Sequence, residues 1–486
     1  MTNDTRARPF PLLIAGREQP GEPAAVHNPA RLTEIVGEYG RAGRETAELA
    51  VNAAHDAFRD WAATPAARRA ELLLSGTAEI ESEIPALATL LTREHGKILA
   101  DATAELTNTV RTLRYYAGLV DHIERESRID DHRGRIIERR VPMGVVAVVV
   151  PWNYPVLLAT LMYAPALMAG NTVVLKLPDN APLALSAVLL RLAGHLPPGV
   201  LNVLAGAGRD IGVHLTTHPV VRRVSFTGST ETGRTIMRDA SANLKNLGLE
   251  LGGNDPAIVL ESAVVDDALI NGLVGGAFMT TGQVCYAPKR LYVHRRNYRR
   301  FVEDFTAAAA SIRVGNGLNP AVTMGPLNNR AQYETVQRLI RASESAGASV
   351  RTVGEYVETD GSDGYFVRPT IVTGLAHDAD LVQQEQFGPV LPILAFDSED
   401  EVIGLANDSE YGLAASVWSQ DVDHAFGLAR RIQAGSVFVN VHRVGASDPS
   451  MPFGGFKQSG IGRGHGEIAL DEAMELQVLA DRIDMQ

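Results

Sequence analysis

Two spacings of apolar residues divide this chain into regions. From Arg44 to Ala117, apolar residues recur every three or four positions among alanines and charged residues, a spacing that predicts helices. Residues 1–45 contain five prolines and are predicted to form a surface arm with short strands. The charged residues of the helical region are interpreted as solvated helix faces; they include Arg68, Arg69, Glu71, Glu94 and Lys97.

Between residues 144 and 260, short apolar runs alternate with amphipathic segments. The runs predict strands at Val145–Val150, Thr172–Leu175, Leu201–Leu204, Val221–Phe226 and Leu247–Leu251. The segments between them predict helices at Val156–Met168, Ala184–Leu192, Ile211–Leu215 and Thr232–Arg238. This alternation predicts a parallel sheet with helices on both faces, and such sheets bind ligands at the carboxyl ends of their strands.

A second alternating unit begins at residue 263. It includes predicted helices at Ala268–Gly276 and Tyr298–Ile312 and predicted strands at Arg290–His294, Pro392–Phe396 and Ser436–Val439. Between the helical region and the first unit, Arg128–Val141 is polar and alternating, which predicts an exposed β-hairpin. The edge of such a hairpin can pair with another chain.

Composition narrows the class of protein. The chain has 486 residues, of which 45% are hydrophobic and 21% charged, enough for two or three globular domains. The formal net charge of -12 argues against nucleic acid or an anionic membrane as a partner. No apolar run is long enough to span a bilayer and no signal peptide is recognised, so a soluble protein is predicted. The single cysteine excludes an internal disulfide, argues against a metal site and predicts a cytoplasmic location.

Three residues outside these patterns suggest covalent chemistry. The only cysteine, Cys285, follows Gly282-Gln283-Val284; Glu250 precedes a double glycine; Asn153 follows an apolar strand. A thiol, a carboxylate and an amide are the nucleophile, the base and the oxyanion donor that acyl chemistry requires. From the residues alone, Cys285 could equally be a small buried apolar side chain.

Residues at the predicted strand ends suggest a cofactor site. The usual dinucleotide motif Gly-x-Gly-x-x-Gly does not follow a predicted strand. Instead Gly228, Ser229 and Gly233 lie between a strand and a helix, where they allow close backbone approach and phosphate binding. Lys176 and Asp179, at another strand end, could bind the hydroxyls of a ribose. A plain strand-to-helix turn and two surface charges would explain the same residues.

Seven short motifs occur in the order typical of the aldehyde dehydrogenase superfamily, which the chain resembles from about residue 28 to about residue 475. They are Pro151-Trp152-Asn153, Lys176, Phe226-Thr227-Gly228-Ser229, Glu250-Leu251-Gly252-Gly253, Gly282-Gln283-Val284-Cys285, Glu385-Gln386-Phe387-Gly388-Pro389 and Pro452-Phe453-Gly454-Gly455. The resemblance implies an α/β fold of two Rossmann-like lobes with parallel sheets, plus a small β oligomerisation element. It implies a cofactor-binding domain at residues 1–123 and 143–252, a catalytic domain at 253–469, and the oligomerisation element at 124–142 and 470–486.

The resemblance also implies roles for single residues. Cys285 would attack the aldehyde, Asn153 and the Cys285 backbone N–H would hold the oxyanion, and Glu250 would activate the water that hydrolyses the thioester. NAD, with NADP also possible, would be held by Val150, Pro151, Trp152, Lys176, Asp179, Gly208, Phe226, Thr227, Gly228, Ser229, Gly233, Leu251, Gly252, Glu385 and Phe387. The substrate channel would be walled by Tyr154, Leu157, Leu161, Met279, Val284, Tyr286 and Phe453. A homodimer or homotetramer is implied.

Several positions depart from the pattern of the family. Asp179 stands where glutamate is usual, with Arg209 nearby, which leaves the preference for NAD or NADP open. Met162 and Gly464 replace a lysine and a glutamate that are often assigned to proton exit. This suggests the hypothesis that Glu250 exchanges protons through water alone. His442 and Arg443 could bind the anionic tail of a semialdehyde, or be solvated loop residues.

The mostly apolar channel positions favour an aliphatic or aromatic aldehyde, and a semialdehyde is the alternative. A CoA-acylating enzyme is argued against by Glu250, because hydrolysis needs that base. A non-catalytic binding protein is argued against by the combination of Cys285, Glu250 and Asn153. A cysteine hydrolase without cofactor would leave the residues of the predicted cofactor site unexplained.

Overall fold

The computed structural model describes residues 9–132, 134–442 and 448–481. Within them the strands are β1 (Leu12–Ile14), β2 (Arg17–Gln19), β3 (Glu22–Asn28), β4 (Arg31–Arg41), β5 (Ser127–Asp131), β6 (Gly134–Pro142), β7 (Val145–Val149), β8 (Thr172–Lys176), β9 (Leu201–Leu204), β10 (Val221–Thr227), β11 (Asn246–Glu250), β12 (Asp255–Val259), β13 (Pro288–His294), β14 (Arg313–Gly315), β15 (Ser349–Thr352), β16 (Glu355–Val357), β17 (Thr370–Thr373), β18 (Val390–Phe396), β19 (Ala414–Trp418), β20 (Ser436–Val439), β21 (Gly460–Ile461) and β22 (Met474–Ala480).

The helices of the same residues are α1 (Arg44–Ala63), α2 (Ala66–Ser82), α3 (Ile84–His95), α4 (Leu99–Ala117), α5 (Val120–Ile123), α6 (Pro155–Met168), α7 (Leu183–Ala193), α8 (Val213–Thr217), α9 (Thr230–Ser241), α10 (Asp267–Phe278), α11 (Arg295–Ala309), α12 (Arg330–Ser345), α13 (Asp380–Gln383), α14 (Glu399–Asn407), α15 (Val422–Ala429) and α16 (Gly466–Asp471). Single turns of other helix types lie at Gly208–Gly212, Met279–Gly282 and Lys457–Ser459. None of these helices is both long and apolar enough to cross a membrane.

The first sheet has eight strands in the order β2-β1-β9-β8-β7-β10-β11-β21. Its five central strands, β7 to β11, are parallel, as the alternation of apolar runs and amphipathic segments predicts. Strands β7, β8 and β9 are almost entirely buried because helices cover both faces. The chain runs outward from β7 through β8 to β9, then returns to place β10 on the other side of β7. This reversal leaves a crevice at the carboxyl ends of β7 and β10, where such sheets bind ligands.

The second sheet has seven strands in the order β15-β17-β18-β13-β12-β19-β20. All its neighbours pair in parallel except β15, which lies antiparallel at the edge. The predicted second α/β unit is therefore confirmed. Strand β21, which follows the second sheet in the chain, crosses back to pair with β11 of the first sheet.

A third, three-stranded sheet has the order β22-β6-β5. Strands β5 and β6 form the predicted hairpin, which is confirmed, and β22 pairs antiparallel with β6 from Met474 to Ala480. Apolar side chains of this sheet are exposed, including those of Ile129, Leu476 and Val478.

Three predictions about the first half of the chain are wrong in detail. Residues 12–41 form four strands, and β1 extends the first sheet rather than lying in a surface arm. The helix predicted at Ile211–Leu215 begins at Val213, because Gly208–Gly212 forms a π turn. Three charged side chains assigned to solvated faces are buried, namely Arg69, Glu94 and Lys97. Each has polar partners distant in sequence, which a helical periodicity does not reveal.

Candidate active site

A strained turn presents the only cysteine. After α10, three consecutive residues have positive φ: Thr280 at 49°, Thr281 at 62° and Gly282 at 74°. Threonine rarely adopts this conformation, and such strain persists only where the surroundings enforce it. Glycine is required at 282, since a Cβ there would lie 2.5 Å from the Gly388 carbonyl oxygen. The turn delivers Cys285 into the loop before β13, facing the end of the first sheet.

The environment of Cys285 favours the thiol over the thiolate. Its side chain is only partly accessible, and burial raises the pKa of the thiol to about 12. Lys289, four residues later, acts in the opposite direction on this pKa. The Lys289 ammonium is buried and donates to the carbonyls of Val284 at 2.5 Å and of Cys285 at 2.9 Å. Sequence reasoning missed Lys289, although its spacing from the cysteine could have drawn attention to it.

Glu250 ends β11 on the opposite side of the same space. Burial raises the pKa of its carboxyl to about 8, against the smaller effects of the Gly464 backbone and of Arg463. Its Oε2 is buried and makes no hydrogen bond within the described residues. A carboxyl with a pKa near neutrality is well matched to general base chemistry, and a free oxygen leaves room for water.

A small cavity of about 50 Å³ lies beside Glu250. It is bordered by Met162 and Gly464, the two departures that concern proton exit, and also by Arg223 and Arg463. The Met162 sulfur accepts a weak hydrogen bond from Thr227 Oγ1 at 3.8 Å. The absence of charged side chains at 162 and 464 therefore leaves space for one or a few water molecules next to the carboxyl.

Asn153 is held between the two sheets. Its amide donates one N–H to the Gln283 carbonyl at 3.1 Å, which leaves the second N–H of the side chain for another acceptor. Its backbone carbonyl accepts from the buried Lys97 ammonium at 2.8 Å. Lys97 also pairs with Glu105 at 2.5 Å. The position of Asn153 is thus fixed at its backbone and at its side chain.

All three predicted catalytic residues and all seven predicted channel residues line one cavity of about 220 Å³. The channel residues are Tyr154, Leu157, Leu161, Met279, Val284, Tyr286 and Phe453. Thr227 and Leu251, predicted to contact the cofactor, also line it. Asp101 and Glu105 add carboxylates, and no lysine or arginine lies among the described lining residues.

The double glycine after Glu250 is explained by close packing. A Cβ at Gly252 would lie 2.6 Å from Glu385 Oε2, and one at Gly253 would lie 2.6 Å from the Cys285 carbonyl oxygen. The Gly253 N–H donates to Glu385 Oε1 at 3.1 Å. The two glycines therefore let Glu385 and the cysteine loop approach the end of β11 together.

Most of the other predicted cofactor residues lie along the carboxyl edge of the first sheet, whereas Glu385 and Phe387 precede β18 of the second sheet. Lys176 ends β8, and its ammonium lies 3.6 Å from Asp179 Oδ1 and donates to the Leu177 carbonyl at 2.9 Å. Val150, Pro151 and Trp152 follow β7, and Gly208 begins the π turn after β9. Ser229 caps α9 and accepts from the Thr232 N–H at 3.3 Å. The free N–H groups at the start of α9 can bind an anion.

Two aromatic rings and two glycines complete this edge. Trp152 and Phe387 meet edge to face at 5.6 Å. The space beside Gly228 is taken by the Phe226 ring, and that beside Gly233 by Leu251. Gly228 and Gly233 therefore make room for side chains of the protein itself, whereas the sequence suggested that they make room for a ligand.

His442 does not face the predicted channel mouth. It is buried; Nε2 donates to the Tyr286 carbonyl at 2.9 Å and Nδ1 accepts from the Ser416 hydroxyl at 2.7 Å. Burial lowers its pKa to about 3, so the ring is neutral and cannot attract an anionic tail. The suggestion that His442 binds such a tail is wrong. Arg443 lies outside the described residues.

Comparison with known proteins gives a consistent picture. The model of the family described as "Aldehyde dehydrogenase family" matches residues 16–479. The chain is 37% identical over 477 residues to a probable succinate-semialdehyde dehydrogenase (NADP+) of Sinorhizobium fredii, covering 97% of this chain and 94% of the relative. It is 38% identical over 480 residues to a phenylacetaldehyde dehydrogenase of Pseudomonas fluorescens, covering 95% and 94%.

Among solved structures, the fold is similar to a betaine aldehyde dehydrogenase from Staphylococcus aureus in complex with NAD+. The TM-score is 0.93 at 31% identity, over 98% of this chain and 95% of the other. The similarity therefore extends over both large sheets.

Proposed function

The chain belongs to the aldehyde dehydrogenase family and oxidises an aldehyde to a carboxylic acid with NAD(P)+, and we propose that Cys285, Asn153 and Glu250 carry this reaction. The observation that supports the assignment is that all three line one cavity of about 220 Å³. The cavity lies where the cysteine loop meets the carboxyl ends of β7 and β11.

Cys285 is the proposed nucleophile. Its sulfur attacks the aldehyde carbon, the C=O double bond opens to an alkoxide, and the thiol proton passes to water in the cavity. The free N–H of the Asn153 amide and the backbone N–H of Cys285 stabilise the carbonyl oxygen as charge develops on it. NAD(P)+ held by the residues described below would supply the acceptor for the hydride that the adduct on Cys285 must lose to become a thioester.

Glu250 is the proposed base for hydrolysis. Its ionised carboxyl takes one proton from the water that attacks the thioester, the other water proton goes to the Cys285 sulfur, and the product leaves as its carboxylate. The proton then passes to water in the 50 Å³ cavity beside Met162 and Gly464. A Glu250→Gln variant should form the thioester but hydrolyse it slowly; hydrolysis at the wild-type rate would refute this role.

The described residues fit NAD(P) chemically. The start of α9 with Ser229 suits a diphosphate, and the pair Lys176 and Asp179 suits the hydroxyls of a ribose. Glu385, held against Gly253, is proposed to bind the second ribose, and Phe387 to pack beside the nicotinamide. The nearness of the Asp179 carboxylate to the ribose site favours NAD over NADP, since NADP would add a phosphate there.

An aliphatic or aromatic aldehyde is the proposed substrate. Tyr154, Tyr286 and Phe453 provide flat apolar surface, with the last two rings meeting edge to face at 5.8 Å. The described lining contains carboxylates but neither lysine nor arginine, and His442 is neutral, so a carboxylated semialdehyde is disfavoured.

The reaction and its substrate can be tested in one experiment. Reduction of NAD and of NADP is followed by near-ultraviolet absorbance over aliphatic, aromatic and carboxylated aldehydes, with Cys285→Ala as control. Turnover that is lost in the control and greatest with uncharged aldehydes is expected. A carboxylated aldehyde turned over best would refute the proposed substrate class, and turnover retained by Cys285→Ala would refute the nucleophile.

We also propose that the sheet β22-β6-β5 holds a homo-oligomer together. Its apolar residues Leu476 and Val478 are 60% and 55% exposed, and β22 lies at the edge of its sheet, where another chain can dock. Glutamate at both positions should reduce the mass measured by light scattering, whereas Leu244→Glu, at an exposed leucine elsewhere, should not. The lone cysteine supports a cytoplasmic location for this assembly.

A further inference from the structure

Three potential metal ligands converge away from the active site. Glu48 lies in α1, His214 in α8, and His218 directly after α8. Glu48 Oε2 lies 3.1 Å from His214 Nε2 and 3.3 Å from His218 Nε2. The two histidine rings have centroids 5.3 Å apart, and one ligand atom from each of the three residues lies within 4.8 Å of the other two. Side chains so close can share one small ion.

The burial of these side chains differs from that of an ordinary surface cluster. The side chains of His214 and His218 are 7% and 9% exposed, whereas that of Glu48 is 45% exposed. His214 Nε2 is buried and lies 3.1 Å from Glu48 Oε2 without a well-directed hydrogen bond. A buried ring nitrogen beside a carboxylate is well placed to share a metal ion with it.

We propose that Glu48, His214 and His218 bind a divalent transition-metal ion of the zinc type. Two imidazoles and one carboxylate are ligands that Zn²⁺ prefers, and they leave a fourth position for water. The Glu48 side chain, 45% exposed, gives the ion access from solvent. The neighbouring surface cavity of about 570 Å³ is bordered by His214 but also by Arg41, Arg44 and Arg209, which repel a cation. The bound ion would tie α1 to α8, which follows the Gly208 turn of the proposed cofactor site.

Two features of the cluster oppose binding. His218 Nδ1 accepts from the Val220 N–H at 3.2 Å, so an ion on Nε2 requires the ring to adopt its other tautomer and lose this contact. Arg44, one turn before Glu48, places a positive charge near His214. The site is therefore expected to bind one ion per chain with moderate affinity.

The experiment measures binding of Zn²⁺, and of Co²⁺ as a coloured substitute, to chelator-treated protein. Cys285→Ser serves as the background, because it removes the active-site thiol as a competing ligand. Titration calorimetry should give one ion per chain. Bound Co²⁺ should produce visible absorption bands with the intensity expected for a low coordination number. The melting temperature should rise with Zn²⁺ concentration.

Glu48→Gln and His214→Gln are the test variants, and both should weaken Zn²⁺ binding about tenfold or more. Glu48→Gln keeps the shape of a half-exposed side chain and so should fold. His195→Gln is the matched control, since it removes a half-buried histidine that pairs with a different glutamate, Glu79, at 2.9 Å. Binding that is absent in the background protein, or unchanged by both test variants, would overturn the proposal.

Discussion

The ammonium of Lys97 donates to the backbone carbonyl of Asn153 at 2.8 Å, across 56 residues of sequence. The same ammonium pairs with Glu105 at 2.5 Å and lies 3.8 Å from the centre of the Tyr154 ring. Glu105 in turn accepts from the Val156 N–H at 2.8 Å, at the start of α6. A fully buried ion pair thus holds the segment that carries the proposed oxyanion donor.

Removing the charge at Lys97 should affect both stability and catalysis. Lys97→Met leaves the Glu105 carboxylate buried without its cation, which costs about 3–5 kcal/mol of unfolding free energy in comparable cases. It also frees the Asn153 backbone, so kcat should fall more than KM rises. Denaturant unfolding and steady-state kinetics measure the two effects.

The double variant Lys97→Met/Glu105→Gln separates charge from shape. It should recover part of the lost stability, because no buried charge remains unpaired. The recovery should not extend to kcat, because the carbonyl of Asn153 still lacks its donor. A Lys97→Met variant that is as stable and as active as the wild type would contradict this account.

The buried Lys97 also shows where sequence reasoning stops. The strand ends, the double glycine and the cysteine loop were predictable, because local residues determine each of them. Glu94 and Lys97 were read as solvated, yet Glu94 accepts from the Leu183 N–H at 2.7 Å, 89 residues away. Such burial depends on which distant backbone groups the fold leaves unpaired, and no local spacing contains that information. His442 was misplaced for the same reason.

The raised pKa of Glu250 predicts a pH dependence of stability. Its folded pKa is about 8 and its ordinary value 4.5, so the folded protein holds a proton that the unfolded chain releases between these values. The stabilisation is fully present below about pH 4.5 and is lost as the pH rises through about 8, by roughly 1.4 kcal/mol per pH unit. Unfolding free energies measured from pH 5 to 9 should therefore decline.

Glu250→Gln should make this decline shallower, because glutamine does not titrate. Glu94 and Asp255 also have pKa values raised to about 8 by burial, so the variant should retain part of the slope. Glu94→Gln, away from the cavity, should reduce the slope similarly without abolishing thioester hydrolysis. Equal slopes in the wild type and Glu250→Gln would show that Glu250 is not protonated at neutral pH.

Lys289 should control the reactivity of the thiol. Its positive charge lowers the pKa of the Cys285 thiol, against the larger effect of burial, which raises it. Lys289→Met should move the pH profile of Cys285 alkylation by iodoacetamide upward and slow the reaction at pH 8 about tenfold. Because the chain has only one cysteine, the alkylation measured is that of Cys285. A profile unchanged in Lys289→Met would limit Lys289 to holding the loop through its carbonyl contacts.

Asp179 should decide between the two nicotinamide cofactors. Its carboxylate lies 3.6 Å from the Lys176 ammonium at the proposed ribose site, where it can accept from a hydroxyl but repels a phosphate. Arg209 is 89% exposed, so a solvated guanidinium offsets this repulsion little. Asp179→Asn keeps the size of the side chain and removes its charge. We expect kcat/KM for NADP relative to NAD to rise about tenfold, as for the loss of one nearby like charge near a protein surface.

Arg209→Gln should change the ratio of kcat/KM for NADP to that for NAD much less. If Asp179→Asn left the ratio unchanged while Arg209→Gln lowered it, the selective contact would be made by the arginine, and the ribose site would lie closer to the Gly208 turn.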